Sequence, residues 1–281
     1  MLNHVILNGA LVEAGRAGIS PLGEGFLFGR GLFETIKLSD GKPVFFIEHA
    51  GRLRRGAGEL GLNWPTSDEE LASRCNLIAR ANAGAGGVLK LVVFQDEKGV
   101  GELILTQESR YAPERHAQGF RLKAVPDAGR IGHFHRLKTL NQLANLTARA
   151  AARAEGWDEA IFLDSGGRLL EGTATNLFVV SRGRARTPGL DAPILPGIAR
   201  AEVLRLGACG PVEETTVTLA QALEADEAFV TNSLVGVMPV SRIGGRDYDL
   251  SRNPVTRSVM SAFRAAETGS IDQYGRIAAE K

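Results

Sequence analysis

Cysteine is almost absent from this chain: Cys75 and Cys209 are the only two, far apart and without a partner motif. That scarcity argues against a disulfide scaffold and against a cysteine zinc site. Long apolar runs are missing as well. No stretch approaches the roughly 18 residues a membrane span needs, and the opening MLNHVILNGALVEAG is too polar for a signal peptide. Neither sign of charge is in excess, since 33 Lys and Arg stand against 32 Asp and Glu for a net charge of +1. No tract is dense in lysine or arginine, so neither nucleic acid nor an anionic membrane is an expected partner. Asn145-Leu146-Thr147 matches a glycosylation sequon, but no secretory signal accompanies it. The expectation is a soluble, cytoplasmic protein.

What is present is an ordinary globular mixture, 44% hydrophobic and 23% charged over 281 residues. That is enough chain for a substantial core in one large domain or two medium ones. The first part reads as a small α+β domain. Strands are expected at His4–Asn8 and Leu32–Leu38, with Ser39-Asp40-Gly41-Lys42 turning into a strand at Val44–Ile47. Helices follow at Glu48–Leu60 and from Ser67, where Ser67 and Glu70 make a capping-box pattern. Val88–Phe94 and Glu102–Thr106 read as paired strands.

The polar stretch Ser109 to Gln118, which contains Pro113, is the candidate linker. Beyond it come strands at Phe120–Val125, Glu159–Asp164, Asn176–Ser181 and Ala228–Thr231. Helices are expected over Leu140–Glu155, from Pro196 to Leu206, in a short piece capped by Thr218 and Gln221, and over Asn253–Glu267. Residues from Thr268 onward read as a frayed polar end. The expected domains are therefore 1–115 and 116–281.

Several short segments carry chemistry only when taken together. They are Glu48-His49-Ala50-Gly51-Arg52-Leu53, Leu137-Lys138-Thr139-Leu140-Asn141, Leu170-Glu171-Gly172-Thr173-Ala174-Thr175-Asn176, Leu195-Pro196-Gly197-Ile198-Ala199-Arg200 and Asp226 through Ser233. In this order and spacing the chain resembles the class-IV aminotransferases, the fold-type-IV pyridoxal-phosphate (PLP) enzymes. These include branched-chain aminotransferases, D-amino-acid aminotransferases and aminodeoxychorismate lyases. The resemblance runs from about Asn8 to Val240. It implies a two-domain α/β (α+β) fold, a small N-terminal α+β domain and a larger C-terminal α/β domain with the cofactor in the interdomain cleft, and a homodimer.

By the same resemblance, Lys138 is the catalytic lysine that carries pyridoxal 5'-phosphate as a Schiff base and then serves as the base. Taken alone, it would read as a surface lysine. Glu171 matches the carboxylate that keeps the ring nitrogen protonated. Arg52 matches the phosphate-binding arginine, although with Arg54 and Arg55 nearby it also reads as part of a solvated helix face. Gly197, Ile198 and Ala199 open a helix whose N-terminus suits a phosphate, and Asn232 and Ser233 form a second phosphate-side turn. Most relatives have threonine where this chain has Ala199.

Phe33, Arg30 and Asn176 are the candidate substrate contacts. Arg30 either binds a substrate carboxylate or pairs with Glu24. Gly23-Glu24-Gly25 with Gly29 and Gly31 misses the G-x-G-x-x-G spacing and lacks a βαβ setting. His133-Phe134-His135 has no cysteine or carboxylate at ligand spacing, so no metal is expected.

The reaction turns on finer features. Asn232-Ser233 followed by Met238-Pro239-Val240 looks like the lyases. Phe33 replaces the tyrosine of the D-amino-acid enzymes, and the hairpin Phe94 to Gly101 lacks their R-x-H carboxylate trap. The expected activity is release of pyruvate from 4-amino-4-deoxychorismate to give 4-aminobenzoate, a step toward folate. The alternative is transamination of D-amino acids, branched-chain amino acids or R-amines. A binding protein without catalysis fits poorly with intact Lys138 and Glu171.

Overall fold

The computed structural model describes residues 3–82, 87–109, 111–112, 114–127 and 133–279. The chain forms two compact units that are interleaved in sequence. One comprises Met1–Arg110, Leu137–Asn141 and Ala266–Lys281, and the other Tyr111–Arg136 and Gln142–Ala265. The expected division at 115/116 treats each domain as continuous. It misses the return of Leu137–Asn141 and of the C-terminal segment to the first unit.

The first unit contains β1 (His4–Leu7), β2 (Ala10–Glu13), α1 (Glu24–Phe28), β3 (Gly31–Ser39), β4 (Lys42–Pro43), α2 (Phe46–Glu59), α3 (Asp68–Ala81), β5 (Gly87–Asp96) and β6 (Gly99–Glu108). Its strands make one antiparallel sheet in the order β2-β1-β6-β5-β3-β4. Side chains alternate across a strand. In β3 this puts Leu32, Glu34, Ile36 and Leu38 on the buried face and Phe33, Thr35 and Lys37 on the other. The buried face joins Phe46, Ala50, Leu53 and Ala57 of α2 and Leu71, Ala72, Cys75 and Ile78 of α3 in one core.

Three expectations fail here, each for a physical reason. The strand expected at Val44–Ile47 is instead the two-residue β4 followed by the start of α2. The turn itself is correct: Asp40 and Gly41 both have positive φ, as a two-residue hairpin demands. The apolar run after it belongs to the helix because Phe46, Ala50, Leu53 and Ala57 keep a helical spacing that reaches upstream of Glu48. Ser67 does cap α3 by accepting from the Glu70 amide, while the Glu70 carboxylate pairs with Arg74.

The C-terminal end is the third. A helix, α8 (Pro254–Ala279), continues to Ala279 rather than fraying at Thr268. Tyr274 is buried, its hydroxyl donating to the Ala72 carbonyl at 3.1 Å and to Asn76 Oδ1 at 2.7 Å. Its ring meets Phe46 edge-on at 5.0 Å.

The second unit contains α4 (Arg115–Gln118), β7 (Phe120–Pro126), α5 (Leu143–Ala154), β8 (Glu159–Leu163), β9 (Arg168–Gly172), β10 (Asn176–Ser181), β11 (Arg184–Pro188), α6 (Ile198–Leu206), β12 (Glu213–Thr215), β13 (Val217–Thr218), α7 (Leu219–Glu224), β14 (Glu227–Asn232), β15 (Gly236–Ile243), β16 (Arg246–Asp247) and the first part of α8 (Pro254–Ala279). Of the expected linker, residues 110 and 113 lie outside the described residues. Thr218 and Gln221 form a complete capping box on α7.

The mixed sheet runs β12-β11-β10-β14-β15-β7-β8-β9-β13, and β9 also pairs with β10. The path β10-β14-β15-β7-β8-β9 thus returns to its start, and it closes at the pair Glu171–Asn176. Leu122, Ile161, Leu177, Val230, Met238 and Val240 fill its core. Among the described residues, no helix is long and apolar enough to cross a membrane.

Candidate active site

In the first unit, Lys138 sits on an extended segment rather than at the start of a helix. The helix expected from Leu140 begins at Leu143 because Leu137–Asn141 pairs with β3. The Phe33 amide donates to the Lys138 carbonyl at 2.9 Å, and the Leu140 amide to the Gly31 carbonyl at 3.0 Å. β4 covers only the far end of β3, around Leu38 and Ser39, which leaves this end for the lysine segment. Lys138 Nζ lies 4.5 Å from the centre of the Phe33 ring. A second ammonium, Lys90 Nζ on β5, lies 5.8 Å from the same ring. Sequence reasoning missed Lys90; its position diagonal to Phe33 across the β3–β5 register is the signal that would have found it.

Arg52 is buried rather than on a solvated helix face. Its Nε donates to Glu34 Oε1 at 2.7 Å and its Nη2 to Glu34 Oε2 at 2.6 Å. His49 Nδ1 lies 2.7 Å from the same Oε2. Burial alone would push the Glu34 carboxyl up, but the Arg52 guanidinium and the His49 ring overcome that and hold it well below the usual carboxylate range. Burial pushes the His49 imidazole down, against Glu34 and with Arg52 and Lys138, so the ring is neutral at pH 7. Its Nδ1 therefore carries the proton donated to Glu34, and its buried Nε2 has no hydrogen-bond partner. Glu34 and His49 were not read as site residues. For His49 the H-x-x-R spacing, which puts it on one helix face with Arg52, was the available signal.

In the second unit, Glu171 is buried at the end of β9. Its Oε2 accepts from the Leu195 amide at 3.0 Å and from Asn176 Nδ2 at 3.2 Å. Asn176 Nδ2 also donates to the Leu195 carbonyl at 3.0 Å, so its amide braces both Glu171 and the segment leading to α6. The Glu-Gly-Thr turn has a second brace. Thr173 Oγ1 donates to the buried Glu159, while Arg149 donates from Nε to Thr173 Oγ1 at 2.8 Å and from Nη2 to the Thr173 carbonyl at 3.2 Å.

Gly197 is the N-cap of α6 and provides no side-chain cap. A Cβ there would lie 2.0 Å from Asn176 Oδ1. The first amides of any helix lack partners within it, and here Ile198 and Ala199 carry two of them at a buried end. Nearby in the sheet, Thr231 is paired with Asn176. Thr231 Oγ1 and Thr175 Oγ1 are buried without hydrogen-bond partners. Asn232 Oδ1 accepts from the amides of Leu234 and Val235 at 2.8 and 2.9 Å, which fixes the turn carrying Ser233.

Arg30 pairs with Glu24 at 2.6 Å and donates to the Leu60 carbonyl at 3.1 Å. The glycine-rich segment around it forms α1 and its cap. The side chain of His133 lies outside the described residues. Among the described residues, no three or more His, Cys, Asp or Glu are grouped to hold a metal ion.

The model of the family described as amino-transferase class IV matches residues 31–243. A D-alanine aminotransferase of Listeria monocytogenes is 30% identical over 92% of this chain and 94% of its own. The aminodeoxychorismate lyase of Bacillus subtilis is 26% identical over 97% and 96%. The branched-chain aminotransferase of Thermoproteus uzoniensis, solved with norvaline, superposes with a TM-score of 0.85 at 27% identity, covering 96% of each chain. The chain belongs to the class IV aminotransferase family and is a PLP-dependent enzyme.

Proposed function

We propose that this enzyme eliminates pyruvate from 4-amino-4-deoxychorismate and leaves 4-aminobenzoate. The observation that carries this reading is the turn from β14 to β15. Asn232 Oδ1 holds it through two backbone amides, and it leads into Val237-Met238-Pro239-Val240, a pattern that resembles the lyases. Phe33, where the D-amino-acid enzymes use tyrosine, supports the same choice.

The residues present fit the cofactor. The unpartnered Thr175 and Thr231 hydroxyls, the uncapped start of α6 and the close approach permitted by Gly197 suit a phosphate and its polar neighbours. In this reading Lys138 supplies the amine that bonds the cofactor's aldehyde carbon. Glu171 accepts from the ring nitrogen and keeps a proton on it. Arg52, the amides of Ile198 and Ala199, Asn232 and Ser233 hold the phosphate. When bound, the cofactor supplies an electron sink for the substrate carbon that bears the amine. Lys138 Nζ, as a free amine beside that carbon, would take the proton from it. The carbon–oxygen bond to the enolpyruvyl group then breaks, the ring becomes aromatic, and the leaving group takes up a proton as pyruvate.

The second reading is transamination of an amino acid, favoured by the 30% identity with a D-alanine aminotransferase. Incubation with aminodeoxychorismate and no keto-acid acceptor separates the two. Appearance of fluorescent 4-aminobenzoate is expected; bleaching to the pyridoxamine spectrum with amino acids, and no aminobenzoate, would sink the lyase. Lys138→Ala should lose the chromophore that borohydride fixes to the wild-type protein.

A homodimer is part of the same reading, supported by the exposed run Leu22, Phe26, Leu27 and Phe28 (67, 62, 52 and 73% exposed). Light scattering should return twice the chain mass.

A further inference from the structure

Glu34 is a charged group in an apolar layer, and stability does not explain it. Leu32 and Ile36 flank it on the buried face of β3, and Leu53 follows Arg52 on α2. Replacing a buried ion pair with apolar side chains is often neutral or stabilising. A fully buried carboxylate holding a fully buried imidazole and a nearly buried guanidinium therefore calls for another explanation.

Geometry suggests one. Glu34 takes the Nε and Nη2 donors along one edge of the Arg52 guanidinium. A two-point grip of this kind fixes the plane of the group and not only its position. His49 Nδ1 on Oε2 then fixes the carboxylate in turn. Arg52 and His49 are three residues apart on α2, and both reach the same strand residue. The edge of the guanidinium that Glu34 does not grip is held in one direction.

We infer that Glu34 and His49 are positioning residues that aim Arg52 at an anionic group, the cofactor's phosphate. This rests on the assignment of Arg52 as a phosphate ligand. Charge alone predicts the opposite design, because Glu34 offsets the positive charge that would attract a dianion. Removing Glu34 therefore tests the two explanations with opposite signs: lost aim weakens binding, while unmasked charge strengthens it.

The experiment measures the dissociation constant of pyridoxal phosphate from the apoenzyme, and the phosphorus-31 shift of the bound cofactor, in folded variants checked by melting. Arg52→Lys and Glu34→Gln should each weaken binding by about tenfold or more, the scale of one charge-assisted contact. The double variant should be no weaker than the worse single one, because Glu34 acts through Arg52. Glu34→Gln should also move the phosphorus resonance. His49→Gln keeps the ion pair and should show a smaller loss with the same spectral direction; it carries the test if Glu34→Gln does not fold. Tighter binding by Glu34→Gln, or unchanged binding and resonance in both Glu34→Gln and His49→Gln while Arg52→Lys weakens it, would overturn the inference and leave the Arg52 assignment standing. Unchanged binding in Arg52→Lys would overturn both.

Discussion

At the scale of single residues, the site works by close approach. Gly197 is required because Asn176 Oδ1 occupies the space of a Cβ, at 2.0 Å. Gly197→Ala must push Asn176 aside, and with it the Nδ2 donor that holds Glu171. Losing a hydrogen bond to a carboxylate costs about 1.5–3 kcal/mol. Cofactor affinity should fall by roughly tenfold or more, with an altered absorption band reporting the ring environment, and the melting temperature should fall by several degrees, about two to four per kcal/mol lost. A titration of the apoenzyme reads this directly. Glu34 makes a prediction about acid. Its folded-state carboxyl is held below its ordinary value of 4.5, so the charged form is favoured by folding. That contribution is present above the ordinary value and is lost as pH falls below it. The wild-type protein should therefore lose stability on acidification below that value more steeply than Glu34→Gln, measured by denaturant midpoints across the acid range. Parallel curves would refute the assignment.

At the scale of elements, what could be read from the sequence divides by the range of the cause. Local causes were legible: the alternation of β3, the Asp40-Gly41 turn, the Ser67 cap and the Thr218–Gln221 capping box. The order of Lys138, Glu171 and Gly197 was also legible, since each motif is contiguous. What failed depended on partners distant in sequence. The helix expected from Leu140 starts later because Leu137–Asn141 is drawn into pairing with β3, roughly a hundred residues away. Glu34 and Lys90 went unread because the residues they meet belong to other strands and helices. The end of α8 looked like a polar tail, yet its buried residues recur as Glu267, Ser270 and Tyr274, one face of a helix. Deleting residues 268–281 should therefore act as a core deletion. It removes the Tyr274 ring from Phe46, the hydroxyl bonds to Ala72 and Asn76, and the Ser270 hydroxyl that accepts from the Phe45 amide at 3.0 Å. Loss of one buried aromatic alone costs about 3–5 kcal/mol. Calorimetry should show a melting point lower by about ten degrees or more, at a few degrees per kcal/mol for a protein of this size, and an unchanged one would mean the helix end contributes nothing.

At the scale of the whole molecule, the interleaving of the two units has its own consequence. The first unit is built from three separate pieces of chain, and the two late pieces are not decoration. Leu137–Asn141 pairs with the end of β3 that β4 leaves uncovered, and Tyr274 and Ile277 complete the core beside α2 and α3. Residues 1–110 form all six strands of their sheet without these pieces, so a reading from contiguous sequence treats them as an independent domain. The packing predicts otherwise. Expressed alone, 1–110 leaves Phe46 and the outer face of α3 without their covering ring and β3 with an open edge, which favours aggregation. It should express as insoluble or loosely packed protein with no cooperative melt. Supplying residues 266–281 through a flexible linker to the same fragment should restore a melting transition. A cooperative transition in 1–110 alone would show that the first unit folds by itself, with the late segments serving only to carry Lys138 and close the chain.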